Sequence, residues 1–219
     1  MPTDDKHGEK RIWDALNSRG LAAKREAVRD MELSASPEAI AQLCECLREE
    51  STYLRELAEA ALVRLGHRAS PALLPMLHQG LWFTRASAAR IFGKIGEGDA
   101  VPALFELTED ANHDVGASAL DALMAIGQQR GAVRLAHALH RMAPDARAGR
   151  LDDILARDSA LGERLRRFLR SDELMAVENA NDLSDDSAVV RAREDGVERE
   201  ALTGPPPPKP RGDGDGGDA

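Results

Sequence analysis

The sequence predicts an all-α fold of stacked helix pairs, an α-solenoid. Apolar residues make up 42 % of the 219 while aromatics make up 3 %. The core is therefore built of Leu, Ala, Ile and Val in a chain poor in strand formers, which is a helical composition. Glycines at 66, 96 and 127 recur at intervals of 30 and 31 residues, and a fixed interval of that size marks a repeat architecture. Before each glycine the apolar residues keep helical spacing. Ala58, Ala88 and Ala119 stand eight before, Leu62, Phe92 and Leu123 four before, and Leu65, Ile95 and Ile126 one before. A small residue at the first of these positions lets two helices approach closely.

The elements follow in chain order. LAAKREAVRDMELSA (21–35) keeps Lys24, Ala27 and Met31 in register but lacks the glycine. PEAIAQLCECLREE (37–50) carries the stripe Ile40, Leu43, Cys44 and Leu47. On a helix Cys44 and Cys46 point about 200° apart, so they cannot pair locally, and Cys44 reads as a small core hydrophobe. YLRELAEAALVRLG (53–66) is followed by SPALLPMLHQG (70–80), and FTRASAARIFGKIG (83–96) by AVPALFELTED (100–110). Pro37, Pro71 and Pro102 sit near helix starts, where a missing N–H is harmless. Pro75 lies one turn further in and is expected to shorten or kink its helix. DVGASALDALMAIG (114–127) precedes RGAVRLAHALHRMAPDARAGRLDDILARD (130–158), two helices with a damaged pattern. LGERLRRFLRSDELMAV (161–177) closes the stack. Each of the three glycines follows the last apolar position, where a left-handed helix cap belongs.

The stretches 53–66, 83–96 and 114–127 resemble the HEAT-like repeat family, especially its short bacterial form, the repeat also found in pigment lyases. There a paired-helix module reads roughly VRxxAAxALGxIG in its second helix. The resemblance covers 37–127 and weakens at both ends, as terminal repeats that cap a stack with polar faces should. It implies a right-handed α-solenoid of about five HEAT-like helix pairs plus a disordered acidic tail. The expected organisation is a flexible N-terminus (1–10), the solenoid (11–177) and a disordered Pro/Gly-rich tail (178–219). In that tail PPPPKP is locally extended, and 189–202 forms a short helix on binding. Gly116 stands where the family has an arginine, the position of Arg55 and Arg85 in the other units. Thr52, Trp82 and His113 stand where the acidic partner is usual. These departures put an arginine–aspartate ladder in question.

Catalytic signatures are missing: the chain has no P-loop, no GxSxG, no HExxH and no GxGxxG after a strand. Some HEAT-like proteins are metal-dependent hydroxylases that use His-Glu pairs, and no His-Glu dipeptide occurs here. His137 and His140 lie three apart, a workable metal spacing, but without an evident third ligand they are expected to be exposed helix histidines. No catalytic, cofactor-binding or metal residue is assigned and no cofactor is expected. The polar N-terminus lacks the apolar region of a signal peptide, and no run of about 18 apolar residues could span a membrane. Cytoplasm is the default location. The tripeptide Arg211–Gly212–Asp213 is read as a chance occurrence.

Charge is segregated. Of the net −9, residues 171–219 carry −8 and residues 130–170 carry +5. The positive field centres on Arg147, Arg150, Arg157, Arg164, Arg166, Arg167 and Arg170. Three readings stay open for it: a solvated face, a phosphate site, or a carboxylate site for the chain's own acidic tail. Nucleic acid is disfavoured because no aromatics interleave with the arginines for stacking.

Of the seven aromatics, Trp82 and Phe83 are adjacent. Neighbours on a helix diverge by about 100°, so both can hardly face one core. In the repeat register Tyr53 occupies the Phe83 position one unit earlier, which places Tyr53, Phe83 and Trp82 on one edge of the stack. Each ring either packs into the inter-helix core or anchors a partner, with Trp82 the favoured exposed one. Arg55 and Arg85 follow two residues after Tyr53 and Phe83, and Trp, Tyr and Arg are enriched at interface hot spots. The expected function is a non-enzymatic protein–protein interaction scaffold whose protein partner the sequence does not identify. The alternatives are an enzyme or enzyme subunit of the pigment-lyase or alkyl-base DNA glycosylase type, and an anion- or nucleic-acid-binding module acting through the arginine patch.

Overall fold

A computed structural model describes residues 20–175, and these are helical with no strand among them. The helices are α1 (Leu21–Ser34), α2 (Pro37–Cys46), α3 (Thr52–Leu65), α4 (Ser70–Leu73), α5 (Trp82–Ile95), α6 (Val101–Leu107), α7 (His113–Ile126), α8 (Ala132–His140), α9 (Pro144–Arg157), α10 (Ser159–Leu169) and α11 (Asp172–Met175). In one row α1 packs on α3, α3 on α5 and α5 on α7, while α2, α4, α6, α8 and α10 follow one another on the other side. Between the rows, α1 contacts α2, α2 contacts α3, the turn after α4 (Leu74–Leu77) contacts α5, α6 contacts α7 and α9 contacts α10. The stack of helix pairs is the one the periodicity predicts. The expected flexible segment 1–10, the first residues of the expected solenoid and the tail 178–219 lie outside the described residues. No helix among the described residues is long and apolar enough to cross a membrane.

Local sequence sets the helix ends. Ser36 caps α2 by accepting the Ala39 N–H at 3.1 Å, with Pro37 in the first turn. Pro75 has the predicted effect: α4 ends at Leu73 and the chain continues as a 3₁₀ turn over Leu74–Leu77. A proline inside a helix removes one N–H and clashes with the preceding turn.

The glycine caps split three ways. Gly96 adopts the expected left-handed cap (φ 78°) and its N–H donates to the Phe92 carbonyl at 2.9 Å. Gly66 has positive φ (63°) with ψ of −140°, and opens a 3₁₀ turn instead. Gly127 corrects the expectation: its φ of −61° is right-handed and the chain runs on through a π turn, Gly127–Gly131, into α8. It is glycine for a packing reason, since a Cβ there would lie 2.9 Å from Leu161 Cδ2 and 3.1 Å from Leu135 Cδ2.

The missing glycine of the first unit also has a structural counterpart. Ala35 holds its place with φ 48° and caps α1 with an N–H to the Met31 carbonyl. A left-handed conformation costs an L-residue about 1–2 kcal/mol, partly offset in any exchange by the ~0.5–1 kcal/mol of chain entropy that glycine loses on folding. Ala35→Gly is therefore expected to raise the melting temperature by a few degrees. A fall in thermal denaturation would show that Ala35 is not strained.

The core runs continuously through the stack and is made of Leu, Ala, Ile, Val and Met around Phe92, Phe105 and Phe168. The α5–α7 contact is the tightest in its row because Gly93 lies against Ala122, where a Cβ would come within 2.7 Å of Ala122 Cα. Both cysteines are buried and free. Burial pushes the Cys44 and Cys46 thiols up to about 12, so neither holds a nucleophilic thiolate near neutral pH.

Candidate functional site

The residues fifteen places before each repeat terminus show which edge of the stack is unusual. These are the N-cap positions of α1, α3, α5 and α7, occupied by Gly20, Ser51, Leu81 and Asn112. Ser51 Oγ accepts the Leu54 N–H at 3.4 Å, and Asn112 Oδ1 accepts the Asp114 and Val115 N–H groups at 3.0 and 3.3 Å. Leu81 supplies no side-chain cap. Leucine is among the poorest N-cap residues and forfeits about 0.5–2 kcal/mol relative to Ser, Asn or Asp. What it provides instead is apolar surface. Leu81 is 56 % exposed and the adjoining Trp82 46 %. The two form a contiguous apolar tip at the start of α5.

The tip rests on fixed supports. Gly80, with φ 89°, turns the chain into Leu81. Its carbonyl accepts Arg85 Nη1 at 2.7 Å. Arg85 also grips Asp110 with two bonds, Nε to Oδ2 at 2.7 Å and Nη2 to Oδ1 at 3.0 Å. The Arg85 hydrogen bond holds the Asp110 carboxyl below the usual carboxylate range. Asp110 accepts the Asn112 N–H as well, at 2.8 Å. Trp82 meets the half-buried Phe83 edge to face, with centroids 5.7 Å apart, and the Arg55 guanidinium lies 4.4 Å over the Phe83 ring. Arg55 donates to the Glu49 carbonyl at 2.6 Å and to Thr52 Oγ1 at 3.0 Å. Tyr53 is half-buried in the first turn of α3.

The structure thus brings Trp82, Phe83, Arg55 and Arg85 to one edge, as the register implied. The two arginines also bond to groups of the chain itself. Both are committed to internal partners and brace the tip. Arg85–Asp110 is also a cross-unit arginine–aspartate pair. The acid stands in the loop before α7, not at the Thr52, Trp82 and His113 positions. Leu81 was missed by sequence reasoning, though the signal was present: a leucine where neighbouring units place Ser51 and Asn112.

A second set of charges was also missed. On the row of α1, α3 and α5, Glu32 accepts Arg64 through two bonds at 2.5 and 2.6 Å, and Glu59 accepts Arg90 and Ser87 at 2.5 and 2.6 Å. These pairs join successive helices of the row. Glu97 joins units differently, accepting Ser70 Oγ at 2.7 Å and lying 2.8 Å from His67 Nδ1. Burial pushes the Glu97 carboxyl up, but the bonds from His67, Ser70 and the Asp99 N–H outweigh it and leave it below its ordinary value.

The arginine cluster is more neutralised than the linear sequence suggests. Arg150 pairs with Glu109 and Asp153, Arg157 with Asp121, and Arg166 with Glu163 and Asp152. Arg164 donates to the Gly127 carbonyl. Arg147 and Arg167 form no ion pair among the described residues. Between α7 and α9 a groove of about 440 Å³ opens beside Gly116, with Arg150 and Arg157 on its far wall. A Cβ at Gly116 would lie 3.0 Å from the Thr108 carbonyl oxygen, so glycine there lets α7 pack against the chain that leaves α6. The acidic tail, one of the three readings open for the arginines, lies outside the described residues.

His137 corrects another expectation. It is buried, 8 % exposed, while His140 is exposed. Among the described residues no group of three or more His, Cys, Asp or Glu side chains could hold a metal ion.

Residues 70–151 match the family model described as HEAT repeats. No curated protein was found to match the chain.

Proposed function

We propose that this chain, a HEAT-like repeat protein, is a non-enzymatic interaction scaffold that engages a protein partner through the Leu81–Trp82 tip. HEAT repeats generally mediate protein–protein interaction. The observation that carries the more specific reading is Leu81 itself. The side-chain cap that Ser51 and Asn112 supply in the adjoining units is given up here, and the residue placed there is an exposed leucine beside an exposed tryptophan. Departures from local rules of stability concentrate where function demands them.

The supports explain why such a tip would bind well. Arg85, tied to Gly80 and Asp110, holds the turn. Arg55 over Phe83 holds the ring on which Trp82 leans. A tip already fixed in shape loses little further entropy when it enters a partner's apolar pocket. Tyr53 forms the flank of the same edge in this reading.

Leu81→Asn separates stability from binding. The variant regains a side-chain cap of about 1 kcal/mol and should melt a few degrees higher. In affinity capture followed by mass spectrometry it should lose a protein that the unaltered chain retains. A variant that is more stable yet keeps every partner would overturn the proposed role of the tip.

A further inference from the structure

We propose that the groove between α1 and α3 is a second docking site, one that takes an acidic amphipathic helix of a partner protein. The groove encloses about 840 Å³, and its lining is half charged and half apolar. Arg25, Glu26, Arg29 and Glu32 of α1 and Arg64 of α3 carry the charge. Leu33 and Leu57 are the largest of the apolar side chains.

The charges of the lining do not cancel. Arg64 takes up Glu32 through two bonds at 2.5 and 2.6 Å. These bonds hold the Glu32 carboxyl below its ordinary value, and the nearby Arg29 adds a weaker electrostatic pull. Arg25 and Arg29 then face a single remaining carboxylate, Glu26. They are the exceptions of their row. Arg55, Arg64, Arg85 and Arg90, the arginines of α3 and α5, each donate to a group of the chain. Arg25 and Arg29, those of α1, are exposed and have no ion pair or side-chain hydrogen bond among the described residues. They stand four residues apart and so share one face of α1, one turn from each other. The first turn of α1 holds no acidic residue and no side-chain cap, so the positive end of the helix dipole adds to the same field.

This pattern matches a helix that carries carboxylates one turn apart beside an apolar stripe. Arginine grips each carboxylate with two bonds, and an amphipathic helix lays its apolar side into a groove. Leu33, 74 % exposed, is the apolar contact at the far end. From Ala22 to Leu33 the groove runs about 16 Å, three turns of a docked helix. The Leu81–Trp82 tip lies on other elements and is an apolar knob, so the groove stands independently of it.

Fluorescence anisotropy of the full chain tests the site. The probe is a labelled helix-forming peptide of Leu, Ala and Glu, with leucines along one face and glutamates on its flanks. Saturable binding is expected, weakening as salt rises because the arginines are exposed. Arg25→Glu together with Arg29→Glu should weaken it roughly tenfold. Both side chains are exposed, so the fold should survive, which circular dichroism checks. A peptide with lysines in place of the glutamates should not bind. Trp82→Ala should bind the acidic peptide as the unaltered chain does, which tells a failure of the groove from a failure of the tip. Lack of saturable binding overturns the proposal, as does undiminished binding by the double arginine variant. Equal affinity for the lysine peptide would leave apolar contact alone and also overturns it. So does a DNA oligomer that displaces the acidic peptide at equal concentration, which would make the face a general anion patch.

Discussion

Phe92→Ala is expected to lower the stability of the fold by about 3–5 kcal/mol, a large share of the ~5–15 kcal/mol that holds a typical domain together. Phe92 is fully buried and among the largest such side chains in the protein. It stands at the position that Leu62 and Leu123 fill in the neighbouring units, so α5 carries the bulkiest residue of that register. Immediately beside it, Gly93 draws α5 onto Ala122 of α7. The two residues act together: the ring fills the interior while the missing side chain permits the approach. With the helices already in contact at Gly93, the cavity left by Phe92→Ala cannot close by collapse. Urea unfolding monitored by circular dichroism reads the effect. A loss below about 1.5 kcal/mol would mean that the stack relaxes around the site, contrary to rigid α5–α7 packing.

Trp82→Ala is expected to do the reverse, weakening partner binding by at least about 2 kcal/mol, roughly 30-fold in Kd, while costing less stability than the about 3–5 kcal/mol of a fully buried ring. The ring is 46 % exposed and its recorded ring contact is the edge-to-face pair with Phe83. Such a pair contributes about 0.5–1.5 kcal/mol beyond burial, and the half-exposed ring has less buried surface to lose than Phe92. A partner that closes over the tip would desolvate the remainder of the ring, and there truncation costs most. Titration of the captured partner against folded variant decides the matter. A sharp drop in melting temperature with unchanged affinity per folded molecule would make Trp82 a packing residue and leave Leu81 as the sole apolar anchor.

The helical class, the repeat interval and the small–large–large stripe were legible in the sequence because each is a local regularity. Spacing of 3.6 residues per turn and a period of 30 or 31 leave a direct trace in residue order. The exposed Trp82 was legible for the same reason, from two adjacent rings that one helix face cannot hold. Tertiary structure decided whatever depended on partners far apart in the chain. Gly127 resembles Gly96 in register, yet its backbone stays right-handed and the missing side chain makes room for Leu161. Ala35 does what a glycine does elsewhere because the following pair demands the same turn. Asp110 became the partner of Arg85 through a loop that brings residues 25 apart into contact. Arg150, Arg157 and Arg166 look like free positive charge in the linear sequence, but stacking sets Glu109, Asp121 and Asp152 against them. Periodicity specifies which face of a helix is apolar. Only packing one unit on the next determines which charges meet, which glycines are needed for space and which leucine is left in water.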